Sequence, residues 1–325
     1  ESVAVGAKTD KEGAICVPAR LFTELVVTLP AETIRLAEKD GSLIVTCAGT
    51  TATIPGMSAA EFPPTPQLGK EKGVWLSKND IISGLSHVLF AAATDEGRPL
   101  LTGVKIRSEE GGVLLAATDG YRLSVKRIGL ALKEDVDMVV PARALGEIVK
   151  VAQEEKEEEK LSFWQSKEGQ LVFAVGQTHL VTRVIDGEYP DFEKIMPKTH
   201  TTRAHLDREM LFRAVKSAAI FARDNANIVR LTINSQKIIV SAATAQVGEN
   251  TVEIDARVDG EGGEIAFNSR FLLEFLANLT EDELLFEMTG SLNPGLFRPV
   301  KDDSFVHIIM PIRVTSGDAA SEKKE

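Results

Sequence analysis

Val17-Pro18-Ala19-Arg20-Leu21-Phe22-Thr23-Glu24-Leu25 returns as Val140-Pro141-Ala142-Arg143-Ala144-Leu145-Gly146-Glu147-Ile148, and more loosely as Phe267-Asn268-Ser269-Arg270-Phe271-Leu272-Leu273-Glu274-Phe275. The three arginines lie 123 and 127 residues apart, and each has a glutamate four positions later. That period is far too long for a solenoid unit, so it points to tandem copies of one whole domain. A chain built this way is better suited to forming an architecture than a single active site.

Each copy runs from an apolar strand end, through Pro or Asn-Ser, into an amphipathic helix. After Pro18 the positions Phe22, Leu25, Val26 and Leu29 fall at helical spacing, with Pro18 and Pro141 expected in the first turn. Arg20–Glu24, Arg143–Glu147 and Arg270–Glu274 read as surface ion pairs within each helix. Hairpins follow. Asp40-Gly41 joins Thr33–Leu36 to Leu43–Val45, and Glu168-Gly169 joins Leu161–Trp164 to Leu171–Phe173. In the third copy, Leu284–Glu287 turns at Asn293-Pro294-Gly295 instead.

A further half-repeat precedes this pattern in copies two and three. Helices are expected over Leu76–Ala92, with Ile81, Ile82, Leu85, Val88 and Leu89 along one stripe, and over Leu206–Arg223, with Leu211, Val215 and Ala218. Strands at 103–106 and 113–116, and at 228–231 and 238–241, come next. The fold class is α+β, in tandem repeats with internal pseudo-symmetry. Domains are expected at 1–68 (a second half only), 69–199 and 200–314, with a disordered tail at 315–325. By its own internal logic the first copy lacks its leading half, roughly 50 residues. Linkers are expected near 64–73 and 197–204, and a solvated helix end and loop at Glu154–Lys160.

The totals narrow the function class. The 325 residues are 43% hydrophobic and 26% charged, which describes ordinary globular domains with no membrane-length apolar run. Cys16 and Cys47 are too few for a disulfide framework or metal cluster, so a reducing cytoplasm is the simplest home. A net charge of −11 excludes a body coated in DNA-binding surface but allows a basic patch on one face. No phosphate-binding glycine loop or dinucleotide turn occurs. Gly84-Leu85-Ser86-His87-Val88 lacks the final glycine of a nucleophile elbow. His87, His179, His200, His205 and His307 are scattered without metal-ligand spacing. Neither a metal, a cofactor nor catalysis is expected.

Three more stretches complete a signature: Ala117-Thr118-Asp119-Gly120-Tyr121-Arg122-Leu123-Ser124, Ile185-Asp186-Gly187-Glu188-Tyr189-Pro190-Asp191-Phe192 and Met310-Pro311-Ile312-Arg313. With the Val-Pro-Ala-Arg helices, and across the chain to Val314, they resemble the bacterial sliding clamps, the beta subunits of DNA polymerase III. The resemblance implies a non-catalytic processivity fold. A head-to-tail homodimer would close a ring around duplex DNA, with helices lining the hole and antiparallel sheets outside, and would tether the replicative polymerase. Its implied partners are double-stranded DNA read without sequence, the polymerase III catalytic subunit, the clamp loader, and other polymerases and repair proteins. Clients would present short linear motifs with a glutamine and apolar or aromatic anchors.

Carried over by position, the client groove would take Leu101, Thr118, Gly120, Arg122, Leu123, Pro190, Ile195, Asn268, Pro294, Ile308, Met310, Pro311, Ile312 and Arg313. Leu123 and Met310 are expected to be truncatable together without unfolding. DNA would face Lys78, Arg98, Arg143, Lys150, Arg213, Lys216 and Arg223. The last three fall within roughly 80° of one another at 100° per residue. Sparse cations of this kind hold phosphates loosely, as sliding requires. Subunit contact would involve Ala52 and Ile54 against Ile220 and Phe221. Two other readings compete: a specialised duplicate clamp conferring inhibitor resistance, and an enzyme on a repeated α+β scaffold, for which no motif speaks. Residues 315–325 extend past the stretch where such chains usually end.

Overall fold

In the computed structural model the described residues are 5–62, 74–130, 135–165, 169–244 and 246–313. They form two compact units, one of residues 5–62 and one of the described residues from 74 onward. Both mix helices with antiparallel sheets.

In the smaller unit, helix α1 (Ala19–Thr28) precedes a meander of strands Arg35–Lys39, Ser42–Cys47 and Thr50–Pro55. Alternation in the middle strand turns Leu43, Val45 and Cys47 inward. Leu43 and Val45 meet Ile54, with Phe22, Leu25 and Leu29 of α1 packed against them. Asp40 and Gly41, at φ 51° and 73°, occupy the left-handed region that a tight two-residue hairpin turn demands.

The larger unit repeats one move four times: a strand runs straight into a helix. Val74–Ser77 leads to α2 (Lys78–Ser86), Asp137–Pro141 to α3 (Ala142–Glu154), Thr202–Asp207 to α4 (Arg208–Ala222), and Gly263–Asn268 to α5 (Ser269–Asn278). Three of the four junctions carry side-chain caps. Asp207 Oδ1 accepts from Met210 N at 2.7 Å, Asn268 Oδ1 from Arg270 N at 2.9 Å, and Ser77 Oγ from Asp80 N at 3.4 Å. These caps correct two sequence expectations. Leu76 and Leu206 are strand residues, because Ser77 and Asp207 start the helices later. The first helix also ends at Ser86, and Leu89–Ala91 is a separate 3₁₀ turn. Pro18 and Pro141 stand at the cap position rather than inside the first turn. Of the expected linkers, 202–204 is strand, while 64–73 and the 315–325 tail lie outside the described residues.

Helices pair α2 with α3 and α4 with α5, each pair over its own core. Ile148 and Leu145 meet Leu85 and Val88 in one; Phe275 and Leu272 meet Leu211 and Val215 in the other. Two four-stranded sheets flank these cores, and a nine-stranded sheet joins them. At the centre of that sheet, Arg122–Ile128 pairs with Phe305–Ile309, in the register Arg122↔Ile309 to Lys126↔Phe305. On one face of this seam Leu123, Val125 and Ile308 are covered by Tyr189, Phe192 and Met196 from the segment leading to α4. On the other face Ser124 opposes His307.

The expected helix ion pairs divide. Only Arg20–Glu24 forms, at 2.8 Å. Glu147 instead receives Lys150 at 2.8 Å, and Glu274 lies against Arg122. The helical spacing was sound, but better-placed partners on neighbouring turns and strands compete.

His307 is fully buried, with Nδ1 2.7 Å from Ser124 Oγ and its ring stacked on Phe275 and tilted against Phe90. Burial first, and the nearby Arg122 charge second, hold the imidazole well below its ordinary value of 6.5. The unfolded chain therefore binds a proton that the folded seam refuses. This contribution to stability is complete above pH 6.5 and is lost as pH falls below it, at about 1.4 kcal/mol per pH unit. Urea titrations should show no such slope from pH 7.5 to 6.5 and that slope from about pH 6.5 to 5, and His307→Asn should reduce it by one proton's worth.

Candidate functional site

The chemistry-bearing residues converge where the turn at Asp119–Arg122 meets the segment after Ile309. The turn is built from within. Thr118 Oγ1 donates to Arg122 O at 2.6 Å and accepts from Gly120 N at 3.0 Å. Asp119 Oδ1 accepts from Tyr121 N and Arg122 N at 2.8 and 3.0 Å, while Gly120 supplies a φ of 91° that few other residues adopt. Met310 N then donates to Tyr121 O at 2.8 Å, and Ile312 N to Ala266 O at 2.8 Å. Through these two bonds the segment after Ile309 is laid between the turn and the strand Gly263–Asn268 that leads into α5.

Arg122 is the charged centre of this region and is almost fully buried. Its Nη2 donates to Phe90 O at 2.6 Å, Nε reaches Asp119 Oδ2 at 3.1 Å, and Nη1 lies 2.5 Å from Glu274 Oε2, off the hydrogen-bond direction. The guanidinium carbon stands 4.6 Å from the Phe271 ring centroid and 5.6 Å from that of Phe90. A buried guanidinium needs such partners on every side.

The fourteen residues expected to form a groove separate into two layers. Gly120, Pro190, Ile195, Met310 and Arg313 are exposed, and Asn268, Pro294, Pro311 and Ile312 are half-buried. Leu101, Thr118, Arg122, Leu123 and Ile308 are buried beneath them. Leu123 and Ile308 are neighbours in register, each 1% exposed, and belong to the core under Phe192. They are therefore support rather than wall. The pairing Gly295↔Ile309 brings Pro294 alongside the start of the Met310 segment, and Asn268 caps α5. Pro190 and Ile195 flank Phe192, whose burial over the seam holds their loop there. Burial pushes the Tyr189 hydroxyl well above its ordinary range, with the Thr118 backbone opposing it more weakly.

The expected DNA-facing cations also divide. On α4, Arg213 is exposed and bonded to Glu209 at 2.8 Å, Lys216 lies 5.6 Å from the Phe212 ring, and Arg223 is exposed just past the helix. On α3, Arg143 and Lys150 share the exposed face with Glu147. Lys78 is different: it is half-buried and its ammonium donates to Glu155 O at 2.5 Å, tying α2 to the end of α3. Arg98 belongs with the turn, because its Nη1 lies 2.9 Å from where a Cβ on Gly120 would stand. Of the expected subunit-contact residues, Ile220 is 52% exposed and Phe221 is half-buried. Ala52 is half-buried on an edge strand, while the Ile54 side chain, 3% exposed, packs into the core of its own unit and leaves only its backbone at that edge.

Sequence reasoning missed Phe90, Phe271 and Glu274 as neighbours of Arg122. Phe271 and Glu274 were visible only as members of the repeated helix pattern, and nothing local links them to residue 122. Among the described residues no cluster of His, Cys, Asp or Glu could hold a metal ion.

Residues 76–191 match the family DNA polymerase III beta subunit, central domain, and residues 193–313 match DNA polymerase III beta subunit, C-terminal domain. The beta sliding clamp of Staphylococcus aureus is 28% identical over 306 residues, covering 93% of this chain and 80% of that protein. The crystal structure of the DNA polymerase sliding clamp from Bacillus subtilis superposes with a TM-score of 0.84 at 26% identity, covering 95% of this chain and 84% of that one. The DNA polymerase III beta subunit of Thermotoga maritima shares the fold with a TM-score of 0.86 at 24% identity, with the same two coverages of 95% and 84%.

The two-layer arrangement separates stability from surface. Leu123→Ala should cost about 2–5 kcal/mol in urea unfolding, as buried leucine truncations do. Met310→Ala, at an exposed position, should change stability by less than about 0.5 kcal/mol. The expectation that both can be truncated without loss of fold is thereby withdrawn for Leu123.

Proposed function

Because the chain belongs to the DNA polymerase III beta subunit family, we propose that it works as a DNA-encircling clamp whose seam groove receives client peptides. Its function is that of a sliding clamp, a processivity factor and not a catalyst. The finer reading is a head-to-tail homodimeric ring, with domains at 1–68, 69–199 and 200–314 and a tail at 315–325. The observation that carries it is the order of two consecutive domains of one subunit along the chain, 76–191 then 193–313.

Physical features of the surface support each part. The exposed cations of α3 and α4 sit among carboxylates and are few, so contact with phosphate would be weak and sequence-blind. Lys78 is left out of that surface because its ammonium is engaged, and Arg98 is assigned to the groove instead. Among the described residues the strands Thr50–Pro55 and Gly248–Asp255 end their sheets without a further partner, and exposed Ile220 lies on helix α4 of the larger unit. Such edges invite pairing between copies. For clients, exposed Met310 gives an adaptable apolar wall, and Gly120, Asn268 and Arg313 give polar groups that orient a peptide. The clients in this reading are the polymerase III catalytic subunit, the clamp loader, and other polymerases and repair proteins. A cytoplasmic location fits two free cysteines.

Topology supplies the test. After loading onto nicked circular plasmid, the protein should stay with the DNA through gel filtration and leave it when the plasmid is linearised. Arg213→Glu, Lys216→Glu and Arg223→Glu together should lower loading and reduce its salt slope by about three ions' worth, with peptide affinity unchanged. Equal retention on linear and circular DNA would refute encirclement.

A further inference from the structure

Helix α5 carries the same Arg-x-x-x-Glu pattern as α1 and α3, yet its glutamate has left the pattern. Glu274 turns from Arg270 to the guanidinium of Arg122, across the seam between the two halves of the larger unit. One turn earlier on the helix, Phe271 lies between two residues of the Asp119–Arg122 turn. Its ring stacks on Tyr121 with centroids 6.5 Å apart and an interplanar angle of 23°, and faces the Arg122 guanidinium at 4.6 Å. Residues three apart on a helix present to the same side, so the pair acts as one surface.

We propose that Phe271 and Glu274 are positioning residues that set the client groove by gripping Arg122 and Tyr121 from α5. The proposal rests on the groove reading given above and adds what fixes its geometry. Tyr121 is the residue whose carbonyl receives Met310 N, so a shift of the turn moves the exposed Met310 wall with it. Arg122 makes five contacts, and four come from outside its own turn: Phe90 O, the Phe90 and Phe271 rings and the Glu274 carboxylate. Asp119 alone would leave the guanidinium free to pivot about Nε. The carboxylate of Glu274 is half-exposed while Arg122 is buried, so the glutamate can be altered without opening the core. Glu274 therefore touches no client itself in this scheme and acts through Arg122.

The internal repeat provides the control. Glu147 is the equivalent residue on α3 and pairs with Lys150 rather than with the turn. The full chain is titrated with a fluorescent peptide carrying a glutamine and apolar anchors, alongside Glu274→Gln, Glu274→Asp, Phe271→Leu and Glu147→Gln. Glu274→Gln should weaken the peptide about five- to tenfold and Phe271→Leu by a similar factor, as expected when a buried charge loses a partner. Glu147→Gln should bind as the parent does. Glu274→Asp should recover most of the affinity by restoring the charge, a recovery that a merely structural role would not require. In combination with Arg122→Lys, Glu274→Gln should add little further loss, because the two act through one contact. If Glu274→Gln binds within twofold of the parent, the positioning role is wrong while the groove stands. If the parent itself does not bind but Met310→Ala and the parent both load normally on DNA, the groove reading fails and the positioning role falls with it.

Discussion

The antiparallel pairing of Arg122–Ile128 with Phe305–Ile309 is the constraint on which the larger unit depends. Without it the two helix-pair cores would each end in an open sheet edge. With it they share one nine-stranded sheet, and the pairing is protected on both faces. One face is shielded by Tyr189, Phe192 and Met196; the other carries Ser124 and His307, whose bond to each other satisfies two polar groups that water cannot reach. The candidate site is a by-product of this pairing. Where Arg122 meets Ile309 the strands stop, and the loose ends of both, the turn before Arg122 and the segment after Ile309, are left side by side.

Repetition explains what is common to the halves, and one departure from it gathers beside the Asp119–Arg122 turn. Of the four strand-to-helix junctions, three are capped by different side chains, Ser77, Asp207 and Asn268, and the fourth turns at Pro141 with no side-chain cap. Three Arg-x-x-x-Glu helices began from one pattern, yet their glutamates now serve a local pair on α1, a different local pair on α3, and a cross-seam contact on α5. The one that departs furthest is the one beside the Asp119–Arg122 turn. There the repeated helix holds an arginine from across the seam.

Much of this was legible in the sequence because the relevant signals are local. The Val-Pro-Ala-Arg recurrence exposed the tandem plan, and strand alternation around Leu43 and Val45 matches their burial. Errors fell where two local signals compete. Leu76 and Leu206 extend an apolar helical stripe, but Ser77 and Asp207 cap the helices and the residues before them pair in sheets. The layering of Leu123 and Ile308 under Phe192 was invisible for another reason. It depends on a segment nearly 70 positions away folding back over the seam, and an alternating strand does not announce that both its faces will be covered. Lys78 shows the same limit for charge: a lysine in the first turn of a helix looks free until the chain brings the Glu155 carbonyl to it.

The central claim is that the seam both joins the two halves and forms the client site. Hydrogen–deuterium exchange of the full chain, with and without a client peptide, tests both parts together. Amides of Leu123–Arg127 and Val306–Ile309 should exchange among the slowest in the molecule, and peptide should add protection at Tyr121, Arg122 and the Met310–Ile312 segment while leaving α3 unchanged. Rapid exchange across the paired strands, or peptide protection confined to residues away from the Asp119–Arg122 turn, would contradict it.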